Sequence, residues 1–116
     1  MVKTLDRIWS IVIRLMWREC CARCKSTYLC SAHHMIKRRF MITRFDPVNG
    51  ILLCAECHDW AESRPLDFMA WLKIKWPMTY EWVAHTKTLP SRRIPPHELK
   101  QKAIELKALI ARLEKV

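Results

Sequence analysis

The chain has 116 residues, which fits one small domain with an appended segment. Hydrophobic residues make up 51%, too many for a disordered chain, and 21 Lys and Arg against 11 Asp and Glu leave a net charge of +10. That charge points to a polyanionic partner, nucleic acid first, with solubility alone as the plainer alternative, and no apolar run is long or uncharged enough to span a membrane.

In chain order, residues 4–19 are expected to form an amphipathic helix started by Thr4 or Asp6. Leu5, Ile8, Trp9, Val12, Leu15 and Met16 recur at helical spacing and make one apolar face that packs on the domain. A first cysteine knuckle follows. A strand is expected to begin near Tyr28–Cys30 and to run through His33 to Ile36. Residues 37–47 are irregular and basic and read as a long loop with buried anchors. Asn49-Gly50 is a turn signal, because both residue types tolerate positive φ, and Gly50 is the only glycine in the chain.

Ile51, Leu52 and Leu53 then make a short buried strand, and residues 54–62 a helix. Pro65 suits the first position of a second helix ending near Lys75, with Pro77 as its stop. Thr79 is expected to cap a third helix. The three prolines and Arg92-Arg93 between Thr88 and Pro96 mark a linker. Leu99, Ala103, Leu106, Ile110 and Leu113 form a heptad-spaced seam on a last helix running to Val116, which either pairs with a second copy or packs on its own domain. The fold class is therefore α+β and mainly helical. Its divisions are an N-terminal helix (1–19), a central domain with supporting helices (20–87), a linker (88–96) and a C-terminal helix (97–116).

The strongest chemical signal is cysteine spacing. Cys21 and Cys24 form one CxxC pair, and Cys54 and Cys57 form another. Such turns present two sulfurs to one side of a tetrahedral ion, so the four are expected to hold a structural zinc. Zinc binding would also supply folding free energy to a small core. Buried free thiols or a redox pair are the competing readings. Cys20 competes with Cys21 for the ligand role, and Cys30 is left over. No secretory pattern is evident, so reduced thiols in a cytosolic setting are expected.

His33 and His34 are adjacent on the expected strand, so their imidazoles point to opposite faces and should not share a role. One can ligate a metal while the other faces a substrate or the adjacent loop. His58 directly follows the fourth cysteine, so a zinc knuckle would preorganise it as a metal ligand. Glu62 lies one helical turn later on the same face, as a third ligand, a supporting partner or simply an exposed acid. Lys37, Arg38, Arg39 and Arg44 stand against one acid, Asp46, and are expected to bind backbone phosphates, or to be a solvated basic loop. The six tryptophans read as core rather than as base-stacking platforms.

His33-His34, Asn49 and His58, framed by CxxC pairs, resemble the HNH family of endonucleases with the ββα-metal fold. The stretch HHMIKRRFMITRFDPVNGILLCAECHDW looks like the small HNH proteins of bacteriophages and mobile elements. The resemblance covers residues 21 to about 62. It implies a small ββα-metal hairpin-helix core with a zinc clamp, flanked by the terminal helices, inside the 20–87 domain. It also implies that His34 is the general base and that His33 and His58, with Glu62 as a third candidate, hold one divalent metal (Mg2+, Mn2+, Ni2+ or Zn2+). Asn49 would tie the loop to the first strand and keep His34 oriented. Many members carry Asp where this chain has His33.

The implied activity is hydrolysis of DNA phosphodiester bonds, by nicking or by double-strand cutting in a homodimer through the C-terminal helix. The implied location is the cytoplasm of a bacterial host. The competing function is a non-catalytic, zinc-stabilised nucleic-acid-binding module in phage recombination or packaging.

Overall fold

The apolar face of the first segment buries Leu5, Ile8, Trp9, Val12 and Ile13 and folds as helix α1, Val2–Met16. The computed structural model describes residues 1–115, so the last residue of the expected C-terminal helix, Val116, lies outside the described residues. Helix α1 starts without a side-chain cap. Neither Thr4 nor Asp6 begins it, because both lie within the helix and the Asp6 carboxylate is bonded to Arg44 and Arg38 instead. The helix stops three residues short of the expected end. Arg18 and Glu19 both take left-handed backbone angles, with φ of 55° and 62°, and turn the chain toward the first cysteine pair.

The first strand, β1, is Ser31–His34, and it pairs antiparallel with β2, Gly50–Leu53. It starts later than the sequence pattern indicates, because Leu29 is left-handed, with φ of 50°. The register sets His33 opposite Ile51 and His34 opposite Gly50. All four residues of β2 are buried, with α1 and α3 packed on the strand and the Ala22 N–H bonded to the Leu52 carbonyl. The intervening loop contains a one-turn helix α2, Met41–Arg44, and a 3-10 turn, Pro47–Asn49, capped by the Asp46 side chain.

Helix α3, Ala55–Ser63, follows β2 directly. Helix α4, Pro65–Lys75, and helix α5, Pro77–Thr86, each place a proline in the first turn, where no backbone N–H is missed. Pro77 therefore both ends α4 and starts α5, so Thr79 is an internal residue of α5 rather than its cap. An irregular stretch leads to helix α6, Pro96–Glu114. Helix α6 packs along α1. Leu106 is buried, and Leu99, Ala103, Ile110 and Leu113 pack against the same core, so the heptad seam is used within the chain. The described residues are thus mainly helical, with one small antiparallel sheet. No described helix is long and apolar enough to cross a membrane.

Gly50 departs from the turn expectation. Its φ is −111° and ψ 143°, ordinary extended backbone, so positive φ is not why glycine stands there. A Cβ at this position would run into the Ile13 side chain and would sit 2.7 Å from Cζ2 of Trp9. Glycine is needed for the close approach of α1 to the sheet.

Candidate functional site

The two cysteine pairs come together at the end of the sheet where β2 finishes. The first knuckle is stitched to β2 by the Ala22 N–H, which donates to the Leu52 carbonyl at 2.8 Å. It is closed by Lys25, left-handed at φ 68°, whose N–H reaches the Cys21 carbonyl. The second pair is carried by the first turn of α3, where Cys54 is the N-cap and its sulfur accepts the Cys57 N–H at 3.4 Å. The ligand atoms of Cys21, Cys24, Cys54 and Cys57 all lie within 4.8 Å of one another. Thiolates about 2.3 Å from a tetrahedral ion sit about 3.8 Å apart. The Cys24 and Cys54 sulfurs are separated by 3.6 Å, so the cluster fits zinc.

Burial opposes ionisation of Cys21, yet backbone N–H groups of Cys24, Cys54 and Arg23 lower its thiol to about 6. Burial pushes the Cys57 thiol up to about 12, with the neighbouring sulfurs adding and Arg23 opposing. Without a cation the cluster therefore keeps protons on some of its sulfurs. A divalent ion would displace them. Cys20 is outside the cluster, its sulfur 3.5 Å from the Trp17 carbonyl, which decides between Cys20 and Cys21. Cys30 is buried and donates to the Ser26 carbonyl.

Helix α3 continues from the cysteines into the second group. His58 follows Cys57 immediately, and its N–H bonds the Cys54 carbonyl at 2.8 Å. His33 Nδ1 lies 3.3 Å from His58 Nε2 and 3.5 Å from a Glu62 carboxylate oxygen. These three side chains form a second group of ligand atoms within 4.8 Å of one another. The donor set, two imidazoles and one carboxylate, suits a first-row divalent metal. His33 is buried beside Phe68, whereas the Glu62 side chain is 61% exposed, so the group is closed on one side and open to solvent on the other. Burial and the adjacent His58 lower His33 to about 4, which keeps the ring neutral at neutral pH, with one nitrogen lone pair free to ligate.

His34 faces the other way, as strand alternation requires. Its ring stacks on the indole of Trp9, centroids 3.9 Å apart and planes within 10°. Its Nε2 lies 2.9 Å from the Arg44 carbonyl. A carbonyl only accepts, so Nε2 carries the proton and Nδ1 holds the free lone pair. Burial lowers the His34 pKa below the ordinary histidine value, opposed by the Arg44 carbonyl and aided by Arg38.

Asn49 is fully buried and holds the loop between the strands. Its Oδ1 accepts the Ile36 N–H at 2.6 Å, and its Nδ2 donates to the carbonyls of Ile36 and Thr43 at 3.0 and 3.1 Å. Thr43 precedes Arg44, so the residue that anchors His34 sits next to a clamp made by Asn49.

His33, His34, His58 and Glu62 line one cleft of about 440 Å³, together with Lys37, Arg38, Asp6, Trp9, Ser10 and Ala32. Of the four basic residues expected to meet phosphate, Lys37 and Arg38 are in this cleft. Arg39 is exposed and lies over the Phe40 ring. Arg44 is engaged elsewhere: it bonds Asp6 through Nε and Nη2 at 3.0 and 2.7 Å, with only 15% of its side chain exposed. Burial works against the Asp6 carboxylate, but the Arg44 hydrogen bonds and the charges of Arg44 and Arg38 hold its pKa below the usual carboxylate range.

Three contributors to these sites were not visible as such in the sequence. Trp9 and Asp6 come from α1 and form one wall of the cleft. Arg23 packs over the Trp60 ring, 3.8 Å from its centroid, and reaches the Cys57 sulfur at 3.5 Å. The CxxC spacing flagged the loop that carries Arg23, but nothing local indicated Asp6 or Trp9. No family model, curated protein or solved structure matches the chain.

Proposed function

We propose that the chain is a metal-dependent endonuclease of the HNH type that hydrolyses phosphodiester bonds in DNA. One observation carries this reading. Two consecutive histidines diverge from a single strand, His33 joining His58 and Glu62 while His34, its Nε2 tied to the Arg44 carbonyl, lines the same cleft. A strand, a loop held by a buried Asn, a second strand and a helix bearing the last histidine are the parts the ββα-metal resemblance requires, in its order. A protein that only bound nucleic acid would have no use for a metal-ligand group beside an imidazole held by stacking and a hydrogen bond.

In this reading His34 accepts a proton at Nδ1 from the water that attacks phosphorus, the bond to the 3′ oxygen breaks, and the departing 3′ oxyanion takes a proton from solvent water. The products carry 5′-phosphate and 3′-hydroxyl ends. A divalent metal held by His33, His58 and Glu62 would supply positive charge at the scissile phosphate. Lys37 and Arg38 contact flanking phosphates and fix the register of the backbone. Asn49 and the Arg44 carbonyl hold His34 in one tautomer. The Cys21, Cys24, Cys54 and Cys57 cluster fixes the start of α3, and with it His58. The described residues hold one such group and use the C-terminal seam internally, so strand-by-strand nicking is the expected outcome on duplex DNA.

The test is conversion of supercoiled plasmid to open circles with Mg2+, Mn2+ or Ni2+. Wild type is expected to nick, and His34→Ala to be slower by about 10²–10⁴-fold, the usual contribution of a general base. Equal rates for the two proteins would overturn the assignment. Plasmid binding with no cleavage under any metal would return the chain to a zinc-stabilised binding module.

A further inference from the structure

Helix α1 lies outside the stretch that carries the nuclease resemblance, yet it reaches the cleft. Its Trp9 is 1% exposed, and its ring lies parallel to His34 at van der Waals distance. The indole is itself fixed, because its Nε1–H donates to the Asp46 carbonyl at 2.8 Å. From this geometry we infer that Trp9 is the positioning residue of His34, a role that rests on the endonuclease reading above.

Two independent features support a built arrangement rather than incidental packing. The first is the register. The cross-strand partner of His34 is Gly50, and a Cβ there would collide with Trp9 and Ile13. The single glycine of the chain is thus placed where the indole must pass to reach His34. The second is a linkage through the same helix. Asp6, three residues before Trp9, bonds the Arg44 guanidinium by two contacts, and the Arg44 carbonyl accepts the His34 Nε2–H. Helix α1 therefore fixes His34 twice, by stacking on its face and by anchoring the residue that binds its edge. A flat imidazole held at one edge still swings about that hydrogen bond. The indole removes this freedom and leaves Nδ1 with one direction of approach. Displacing a reacting group by about 1 Å costs on the order of 10²-fold in rate.

The experiment uses the full chain with Trp9→Leu and Trp9→Phe. Steady-state nicking is measured at saturating Mn2+, with zinc content and helical circular dichroism as controls. Trp9→Leu is expected to lower kcat on the order of 10²-fold with KM for plasmid nearly unchanged, since no phosphate contact is lost. Trp9→Phe, which restores a flat ring, is expected to recover most of that loss. The Hε1 resonance of His34, assigned with His34→Gln, should be shifted upfield by the indole ring current in wild type and return toward the ordinary histidine position in Trp9→Leu. A folded, zinc-loaded Trp9→Leu with wild-type kcat overturns the proposal, as does a wild-type His34 resonance without the ring-current shift. If Trp9→Leu loses its zinc or its helix content, Trp9→Phe and the wild-type resonance decide. A wild-type chain that shows the shift but cuts no DNA overturns the endonuclease reading, and the positioning role with it.

Discussion

Replacing Asn49 with Ala removes three short hydrogen bonds from a fully buried side chain. It also strands the Ile36 N–H and the Ile36 carbonyl that made two of them, while the Thr43 carbonyl keeps the Asp46 N–H at 3.1 Å. Ile36 is 6% exposed and Thr43 is 4% exposed, so solvent does not replace the lost partners easily. A typical net hydrogen bond contributes about 1 kcal/mol, and an orphaned buried group costs about 1–3 kcal/mol. Three bonds, partly relieved by loop relaxation, put the loss at about 3–5 kcal/mol. That is a large part of the roughly 5–15 kcal/mol available to a small domain. With a urea slope of about 1–3 kcal/mol per molar, the midpoint should fall by more than about 1 M. The assay is equilibrium urea unfolding in zinc-replete buffer, followed by tryptophan fluorescence. Asn49→Asp sharpens the test. It keeps an acceptor for Ile36 N–H but turns an oxygen toward two carbonyls and buries a charge, so it should be at least as destabilised as Asn49→Ala. An Asn49→Ala protein within about 1 kcal/mol of wild type, or an Asn49→Asp protein near wild type, would refute this account of the clamp.

Metal analysis of the purified chain is expected to give one tightly held zinc, lost in Cys54→Ser and retained in Cys20→Ser, since only Cys54 belongs to the four-sulfur cluster; zinc loss in Cys20→Ser would contradict the ligand assignment. Glu62→Gln is expected to raise the Mn2+ concentration for half-maximal nicking by at least about tenfold while leaving the urea midpoint nearly unchanged, because the side chain is 61% exposed. An unchanged Mn2+ requirement would remove Glu62 from the ligand set. The pH profile of nicking follows from the lowered pKa of His34: its base form persists to pH values below the ordinary 6.5, so activity at saturating metal should hold at neutral pH and fall only below about 6.5. An acid limb centred above pH 7 would be incompatible with a buried, neutral His34.

The readable parts of this chain were those whose physics is local. CxxC spacing presents two sulfurs to one ion whatever surrounds it, so the four-cysteine cluster was legible. Strand alternation alone separated His33 from His34. One helical turn placed Glu62 on the His58 face, within 4.8 Å of its ligand atom. Pro65 marked a helix start, but Pro77 read only as a stop and Pro96 as the end of a linker, whereas each opens a helix because a first-turn proline forfeits no backbone bond. Local rules failed where a choice depends on backbone sign or on a distant partner. Cys20 and Cys21 cannot be ranked without the left-handed pair Arg18 and Glu19, which sets the register of the knuckle. Basic residues count equally in a composition, but Arg44 is held by Asp6, 38 positions away, whereas Arg38 keeps 62% of its side chain exposed.

Gly50 and Trp9 make the limit specific. An Asn-Gly step is a turn signal by frequency, and helical periodicity marks Trp9 as core; each inference uses only near neighbours. The structure joins them, because glycine is required to admit α1, and α1 brings the indole onto His34. The same contact therefore buries the core and orders the cleft. Stability and the geometry of His34 are coupled along this seam, at Gly50, Ile13 and Trp9, so Gly50→Ala should harm both together. At Glu62, on the open side, they are separable. A core position that also touches the site will look structural in any stability assay. Only a comparison that holds the fold constant, such as phenylalanine against leucine at Trp9, separates the two contributions.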